Sequence, residues 1–177
     1  MQAIAAADGR MIYSPSSRRG PLRRSKFRQP DREGSMTSRR RTYQVFEHTA
    51  DVGIEAYGET LEELFAHAAI GLIDLMTDPT AIEERERVTI EVEGQDLPQL
   101  LRRWLSEILF LFDAREILLS RFEITISPEH DTLHAVAYGE PFDPERHPLE
   151  NEVKAVTYHG LEIRGTGPYT ARIVFDI

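Results

Sequence analysis

Residues 87–112, RVTIEVEGQDLPQLLRRWLSEILFLF, change from one hydrophobic period to another within a single stretch. Val88, Ile90 and Val92 alternate with Thr or Glu, which is typical of a strand with one buried face. Asp96 then offers a helix cap. The apolar residues behind it recur at helical spacing and form a wide stripe, made of Leu97, Leu100, Leu101, Trp104, Leu105, Ile108, Leu109 and Phe112. The stretch therefore predicts a strand followed directly by an amphipathic helix.

An earlier segment predicts a second amphipathic helix. Thr60-Leu-Glu-Glu63 has the composition of a capping box, in which the Thr hydroxyl and the Glu carboxylate satisfy free backbone N–H groups. Asp78-Pro79 ends the helix. The apolar residues between these signals share one helical face: Leu61, Leu64, Phe65, Ala68, Leu72, Leu75 and Met76. Of the two helices, the wider stripe after Asp96 predicts that the later one is the more buried.

Strand-like alternation accounts for much of the remaining chain. It occurs in the segments 43–47, 54–58, 122–126, 133–137, 153–163 and 169–175. Together with residues 87–93, these segments make about seven strands. Two helices interleaved with them predict a single α+β domain, a largely antiparallel sheet with the two main helices packed on one face.

Charge divides the 177-residue chain into two parts. The net charge of −9 combines a basic segment, residues 1–41 with 11 basic and 3 acidic side chains, and an acidic remainder, residues 42–177 with 10 basic and 27 acidic side chains. Pro, Gly and Ser between paired Arg residues predict that 1–41 is a disordered tail. It could equally be a nucleic-acid arm, an organellar transit peptide or the product of a start assigned too early, with the true start near Met36. We expect the folded domain to occupy residues 42–177.

Composition excludes several classes of function. The chain has no Cys, which rules out a disulfide framework, a thiolate zinc site and a cysteine nucleophile. Its longest apolar run, Ile108–Phe112, is far shorter than the ~20 residues that cross a bilayer. An acidic surface repels phosphate groups, so we expect neither direct high-affinity nucleic-acid binding nor membrane association. A cytoplasmic domain suited to cations or to a basic partner is the expectation that remains.

The chain end is an informative candidate site. The apolar residues 173–175 run almost to the last residue, so we expect the terminus to be anchored. Anchoring would hold the Asp176 side chain close to the α-carboxylate of Ile177, and two such charges require a cation or a basic group nearby. Oxygen donors alone favour a hard ion such as Ca²⁺ or Mg²⁺.

Two further segments carry polar groups that could act with the terminus. Residues 47–53, EHTADVG, place His48, Thr49 and Asp51 between two strand-like segments, where they could equally serve as turn-forming residues. Spacing does not show whether Asp51 lies near the terminus. Lys154 is one of two lysines in a chain that otherwise uses Arg, which suggests either selection for a compact charge or an ordinary exposed residue.

Three segments together resemble the archease family. They are EHTADVG at 47–53, EVKAVTYHGLEI at 152–163 and the terminal Asp176-Ile177, and Tyr138-Gly-Glu140 adds to the match. The resemblance covers residues 42–177 and implies an archease-like α+β fold. With it, a start near Met36 becomes the preferred explanation of the tail, because residues 1–35 have no counterpart in the resemblance.

The resemblance also implies a function and its residues. Archeases are protein cofactors, not enzymes, of the RtcB-type RNA ligase of tRNA splicing and RNA repair, and they promote its guanylylation and multiple turnover. The implied metal ligands are Asp51, Asp176 and Ile177, with Ca²⁺ favoured and Mg²⁺ or Mn²⁺ as alternatives. Lys154 is implied as a ligase contact that acts in activation together with the two aspartates, and His48 and Thr49 as the supporting loop.

Two rival functions remain open on the residues alone. The same carboxylates could hold a catalytic ion in a stand-alone metal-dependent phosphohydrolase, although no phosphate-cradling glycine loop or Gly-x-Ser-x-Gly elbow accompanies them. Alternatively, the acidic surface could belong to a chaperone-like, modulatory binding protein.

Overall fold

The computed structural model describes residues 42–48 and 51–177, and the side chains of Glu47 and His48 are outside that description. The predictions about residues 1–41, including a start near Met36, and about the side chain of Thr49 therefore lie outside the described residues.

Within this part the chain forms eight strands and two long helices, which confirms the α+β class. A short 3₁₀ helix, Pro79–Ala81, follows the first long helix. The elements are β1 (Tyr43–His48), β2 (Asp51–Gly58), α1 (Leu61–Met76), β3 (Glu86–Glu93), α2 (Leu97–Arg115), β4 (Ile117–Ile126), β5 (Thr132–Pro141), β6 (Ala155–Val156), β7 (Glu162–Arg164) and β8 (Tyr169–Asp176).

The strands divide into two antiparallel sheets. One sheet has the order β1-β2-β8-β6, with β7 also paired to β8, and the other has the order β3-β5-β4. The sequence predicted about seven strands in one sheet. The extra strand arises because residues 153–163 are not one continuous strand: β6 and β7 both pair with β8, but with different registers.

Both helices begin at the residues that the sequence predicts. The Thr60 hydroxyl accepts a hydrogen bond from the Glu63 N–H at 3.2 Å, and the Glu63 carboxylate accepts one from the Glu59 N–H at 2.8 Å. At α2, Asp96 Oδ1 accepts from the Gln99 N–H at 2.8 Å. The caps satisfy N–H groups that the first helical turn leaves without partners.

The prediction that the later helix is the more buried is wrong. Ten of the 16 residues of α1 are buried, against eight of the 19 residues of α2. Both helices contact both sheets, but α1 packs closely on β2 of one sheet and β4 of the other, whereas α2 packs more loosely and keeps a solvent face that includes Phe110. The two helices meet at Trp104, whose indole N–H donates to the Phe65 carbonyl at 3.1 Å.

A cluster of charged and polar side chains, centred on the buried Glu140, lies at the polar connection after β5. Glu140 is 1 % exposed, and it accepts hydrogen bonds from Arg146 Nη1 at 2.6 Å and from the Glu83 N–H at 2.7 Å. The Asp143 N–H donates to Nδ1 of His147 at 3.0 Å, so Nε2 carries the ring hydrogen of the neutral imidazole and donates to Glu140 at 3.1 Å. The hydrogen bond from Arg146 lowers the pKa of Glu140 to about 2 against the opposing effect of burial.

None of the helices in the described residues is both long enough and apolar enough to pass through a bilayer.

Candidate functional site

The segment 47–53 joins the two paired antiparallel strands of a β-hairpin. His48 ends β1 and pairs with Asp51, the first residue of β2. The predicted supporting loop is therefore shorter than the sequence suggested, because His48 belongs to a strand and only Thr49 and Ala50, outside the described residues, separate the strands. The hairpin fixes Asp51 at the end of a central strand of its sheet.

The strand register brings Asp51 next to Asp176. Val52 of β2 pairs with Phe175 of β8, and the same antiparallel register continued by one residue sets Asp51 opposite Asp176. Directly opposed residues point to the same face of a sheet, with Cβ atoms about 5 Å apart. Val52 and Phe175 are buried on the core face, so the two aspartates lie on the outer face.

The chain terminus is anchored, as the sequence predicts. β8 continues to Asp176, which pairs with Ala155 of β6, and the Lys154 N–H donates to the Asp176 carbonyl at 2.8 Å. The Lys154 ammonium also donates to the main-chain oxygen of Ile177 at 3.1 Å. This is the oxygen that the sequence predicts to belong to the α-carboxylate.

The structure thus brings together the predicted residues Asp51, Lys154, Asp176 and Ile177, which we call the carboxylate cluster. Three carboxylates and one ammonium leave two negative charges without a counter-charge in the cluster. Asp176 and Lys154 are exposed, Ile177 is 37 % exposed and Asp51 is half-buried. A partner or an ion can therefore reach these groups from solvent.

The donor set of the carboxylate cluster fits a hard divalent cation. All its negative groups are oxygen donors, which Ca²⁺ and Mg²⁺ prefer, and the uncompensated charge equals that of one such ion. In residues 42–48 and 51–177, no three His, Asp or Glu side chains are grouped so that they could hold a metal. An ion would therefore rely on Asp51, Asp176 and the terminal carboxylate, and would keep coordination positions for water or for a group of a partner.

One residue near the carboxylate cluster was missed by the sequence reasoning. The Thr157 N–H donates to the Val174 carbonyl at 3.0 Å, two residues before Asp176 along β8. Thr157 Oγ1 is buried and, within the described part of the chain, is the one buried side-chain polar atom without a hydrogen-bond partner. Thr is common in strands, so its residue type gave no signal; only burial identifies this hydroxyl as available to a bound water or ligand.

Comparisons with known proteins agree on one family. Residues 43–177 match the model of the Archease protein family (MTH1598/TM1083). Proteins named archease from Sulfolobus acidocaldarius and Pyrococcus furiosus are 43 % and 42 % identical to the chain, over 136 and 141 residues. The matches cover 76 % and 77 % of this chain and 98 % and 99 % of those relatives.

A solved structure supports the same assignment. The solution structure of Methanobacterium thermoautotrophicum protein 1598 is 40 % identical and superposes with a TM-score of 0.67. The match covers 77 % of this chain and 99 % of that protein. It shows the same α+β fold.

Proposed function

The chain belongs to the archease family, and from that premise we propose that it is a metal-binding accessory protein that activates an RtcB-type RNA ligase. In this proposal it promotes guanylylation of the ligase and its multiple turnover in tRNA splicing or RNA repair. It acts in the cytoplasm, beside the ligase, and has no catalytic activity of its own.

The observation that carries the proposal is that Asp51, Asp176 and Ile177 lie at the same end of the two central strands of a sheet. These groups come from the two ends of the domain, and only a specific register opposes the two aspartates. Like charges at this distance repel each other unless a counter-ion neutralises them. Ca²⁺ is the ion we favour, with Mg²⁺ and Mn²⁺ as alternatives, because all the donors are oxygens.

The surroundings of the carboxylate cluster suit an encounter with a ligase. Three of its four residues are exposed, and the folded part of the chain carries 27 acidic against 10 basic side chains. A ligase that holds RNA presents a basic surface, and opposite potentials speed and orient association. Lys154 lies beside the terminal carboxylate and would contact the ligase at the same place.

Multiple-turnover RNA ligation tests the proposal. The cognate ligase is assayed with RNA in excess, with and without this protein and with calcium or a chelator. We expect turnover to stop after about one cycle without the protein and to continue with it. An identical time course in both cases would overturn the proposal, and hydrolysis of phosphate compounds by the protein alone would favour the phosphohydrolase instead.

A further inference from the structure

Tyr158 is an exposed aromatic side chain that the protein holds in a defined position. It is 57 % exposed, yet the guanidinium of Arg102 lies against one face of its ring, 4.3 Å from the ring centroid. The Arg102 Nε–H also donates to the Val156 carbonyl at 3.1 Å. A cation–π contact and a hydrogen bond therefore orient one face of the ring, while much of the side chain is accessible to solvent.

The backbone makes Tyr158 project from the sheet. β6 pairs Ala155 with Asp176 and β7 pairs Glu162 with Arg172, so the chain between them has three residues more than the facing part of β8. These residues form a turn in which the Leu161 N–H donates to the Tyr158 carbonyl at 3.3 Å. Gly160 has a positive φ of 65°, a conformation that glycine adopts without strain.

The projection follows the short segment that pairs with the end of β8. Tyr158 directly follows Thr157, which bonds to β8, and it is four residues beyond Lys154. In the described residues three large hydrophobic side chains are exposed, namely Phe110, Tyr158 and Ile177. Ile177 belongs to the carboxylate cluster and Tyr158 follows Lys154 by four residues, whereas Phe110 lies on the solvent face of α2.

We propose that Tyr158, backed by Arg102, is the aromatic anchor by which this protein docks on the ligase, inserting into an apolar pocket beside the site that receives the carboxylate cluster. This inference rests on the proposed function. Aromatic residues that are held in place before binding lose little conformational entropy and are enriched among the residues that dominate interface energies. The partner here is a protein surface rather than RNA, because the folded part of the chain carries 27 acidic against 10 basic side chains and repels a phosphate backbone.

The decisive experiment compares Tyr158→Ala with Phe110→Ala, which truncates an aromatic side chain of similar exposure elsewhere. Binding of the full chain to the immobilised cognate ligase is measured with saturating calcium, and calcium binding to each free variant is measured by calorimetry. We expect Tyr158→Ala to weaken ligase binding by about 30-fold or more. Phe110→Ala should change it by less than about threefold, and both variants should bind calcium like the parent.

The ligation assay gives a second readout that a general loss of structure would not reproduce. Tyr158→Ala should raise the protein concentration needed for half-maximal activation while the maximal turnover recovers at high concentration. Tyr158→Phe should lose much less affinity for the ligase than Tyr158→Ala, because it keeps the aromatic ring that enters the pocket of the ligase. Arg102→Met keeps an unbranched side chain on α2 but removes the guanidinium that holds the Tyr158 ring. Its affinity for the ligase should lie between that of the parent and that of Tyr158→Ala.

Three results would overturn the proposal that Tyr158 is the anchor. Unchanged ligase binding by Tyr158→Ala, when Asp51→Asn abolishes activation, would leave the proposed function standing and remove this inference alone. An equal loss of ligase affinity in Phe110→Ala would show that any exposed aromatic side chain contributes to binding, whatever its position. Binding of a labelled RNA to the free protein that depends on Tyr158 would make the ring a base-stacking platform. Failure of the parent protein to activate the ligase would instead count against the proposed function.

Discussion

The ammonium of Lys154 donates a hydrogen bond to the main-chain oxygen of Ile177 at 3.1 Å, and so joins the start of β6 to the last residue of the chain. The contact gives the lysine a role that Arg would not fill in the same way, because an ammonium is a compact point charge. It also ties Ile177 to the segment whose next residue, Ala155, pairs with Asp176.

Removing either aspartate of the carboxylate cluster should abolish activation and leave the fold intact. In Asp51→Asn and Asp176→Asn we expect calcium affinity to fall by about tenfold or more, because each change removes a charged donor. Calorimetry and the ligation assay measure the two effects, and circular dichroism checks the fold. Glu129→Gln, in the exposed turn between β4 and β5, is the matched control. Full activation by both aspartate variants would contradict the assignment.

Extending the chain beyond Ile177 should impair the protein. A Gly-Ser-Gly extension converts the terminal carboxylate into a peptide carbonyl and removes one of the three negative charges of the carboxylate cluster. We expect weaker calcium binding and weaker ligase activation, whereas the same extension at the N-terminus should change neither. Equal behaviour of the two extended proteins would exclude the terminal carboxylate as a ligand.

Replacing Lys154 by Met should have opposite effects on ion binding and on activation. Without the ammonium, three carboxylates lack a counter-charge, so calcium should bind about tenfold more tightly. Ligase activation should nevertheless decline, because the proposed contact is lost, and Lys154→Arg should restore the charge and most of the calcium affinity of the parent. Weaker calcium binding by Lys154→Met would mean that the lysine positions the terminal carboxylate for the ion.

The buried Glu140 should make stability depend on pH in acid. Its pKa is about 2 in the folded protein, below the ordinary value of 4.5, so it stabilises the fold above about pH 4.5 and this contribution disappears as pH falls towards 2. Glu140→Gln should cost about 3 kcal/mol at pH 7, since it leaves Arg146 without its buried partner. Urea unfolding between pH 7 and 3 should show a shallower pH dependence in the variant. Parallel curves for the two proteins would contradict this role.

Gly139, the residue before Glu140, should tolerate no side chain. A Cβ there would overlap the Leu118 carbonyl of the neighbouring strand β4, and backbone cannot give way as a side-chain tip can. We expect Gly139→Ala to lose about 2 kcal/mol or more in urea unfolding. Gly160→Ala is the comparison: it has open space but a positive φ, and should lose only about 1 kcal/mol. A larger loss in Gly160→Ala than in Gly139→Ala would show that the positive φ of Gly160 costs more than the overlap at Gly139.

Local patterns predicted the helices well and the strands incompletely. Thr60 and Asp96 cap the helices where the spacing indicated, because caps depend only on residues within one turn. Residues 153–163 alternate like a single strand, but the turn at Tyr158 interrupts them, and nothing within the segment specifies its register against β8. The burial of α1 was underestimated for a similar reason, since its close packing on β2 and β4 depends on the arrangement of the strands and is not visible in its own apolar stripe.

The sequence by itself determined the class of fold, the positions of the helix caps, the acidity of the domain, the absence of thiolate ligands and the apolar strand at the chain end. These are properties of composition and of short-range periodicity. Only the tertiary structure decided that Asp51 faces Asp176, that Lys154 reaches Ile177 and that Arg102 supports Tyr158. Each of these contacts joins different segments of the chain, and the facing of Asp51 and Asp176 follows from the burial of Val52 and Phe175 on one face of the sheet, which no local pattern encodes.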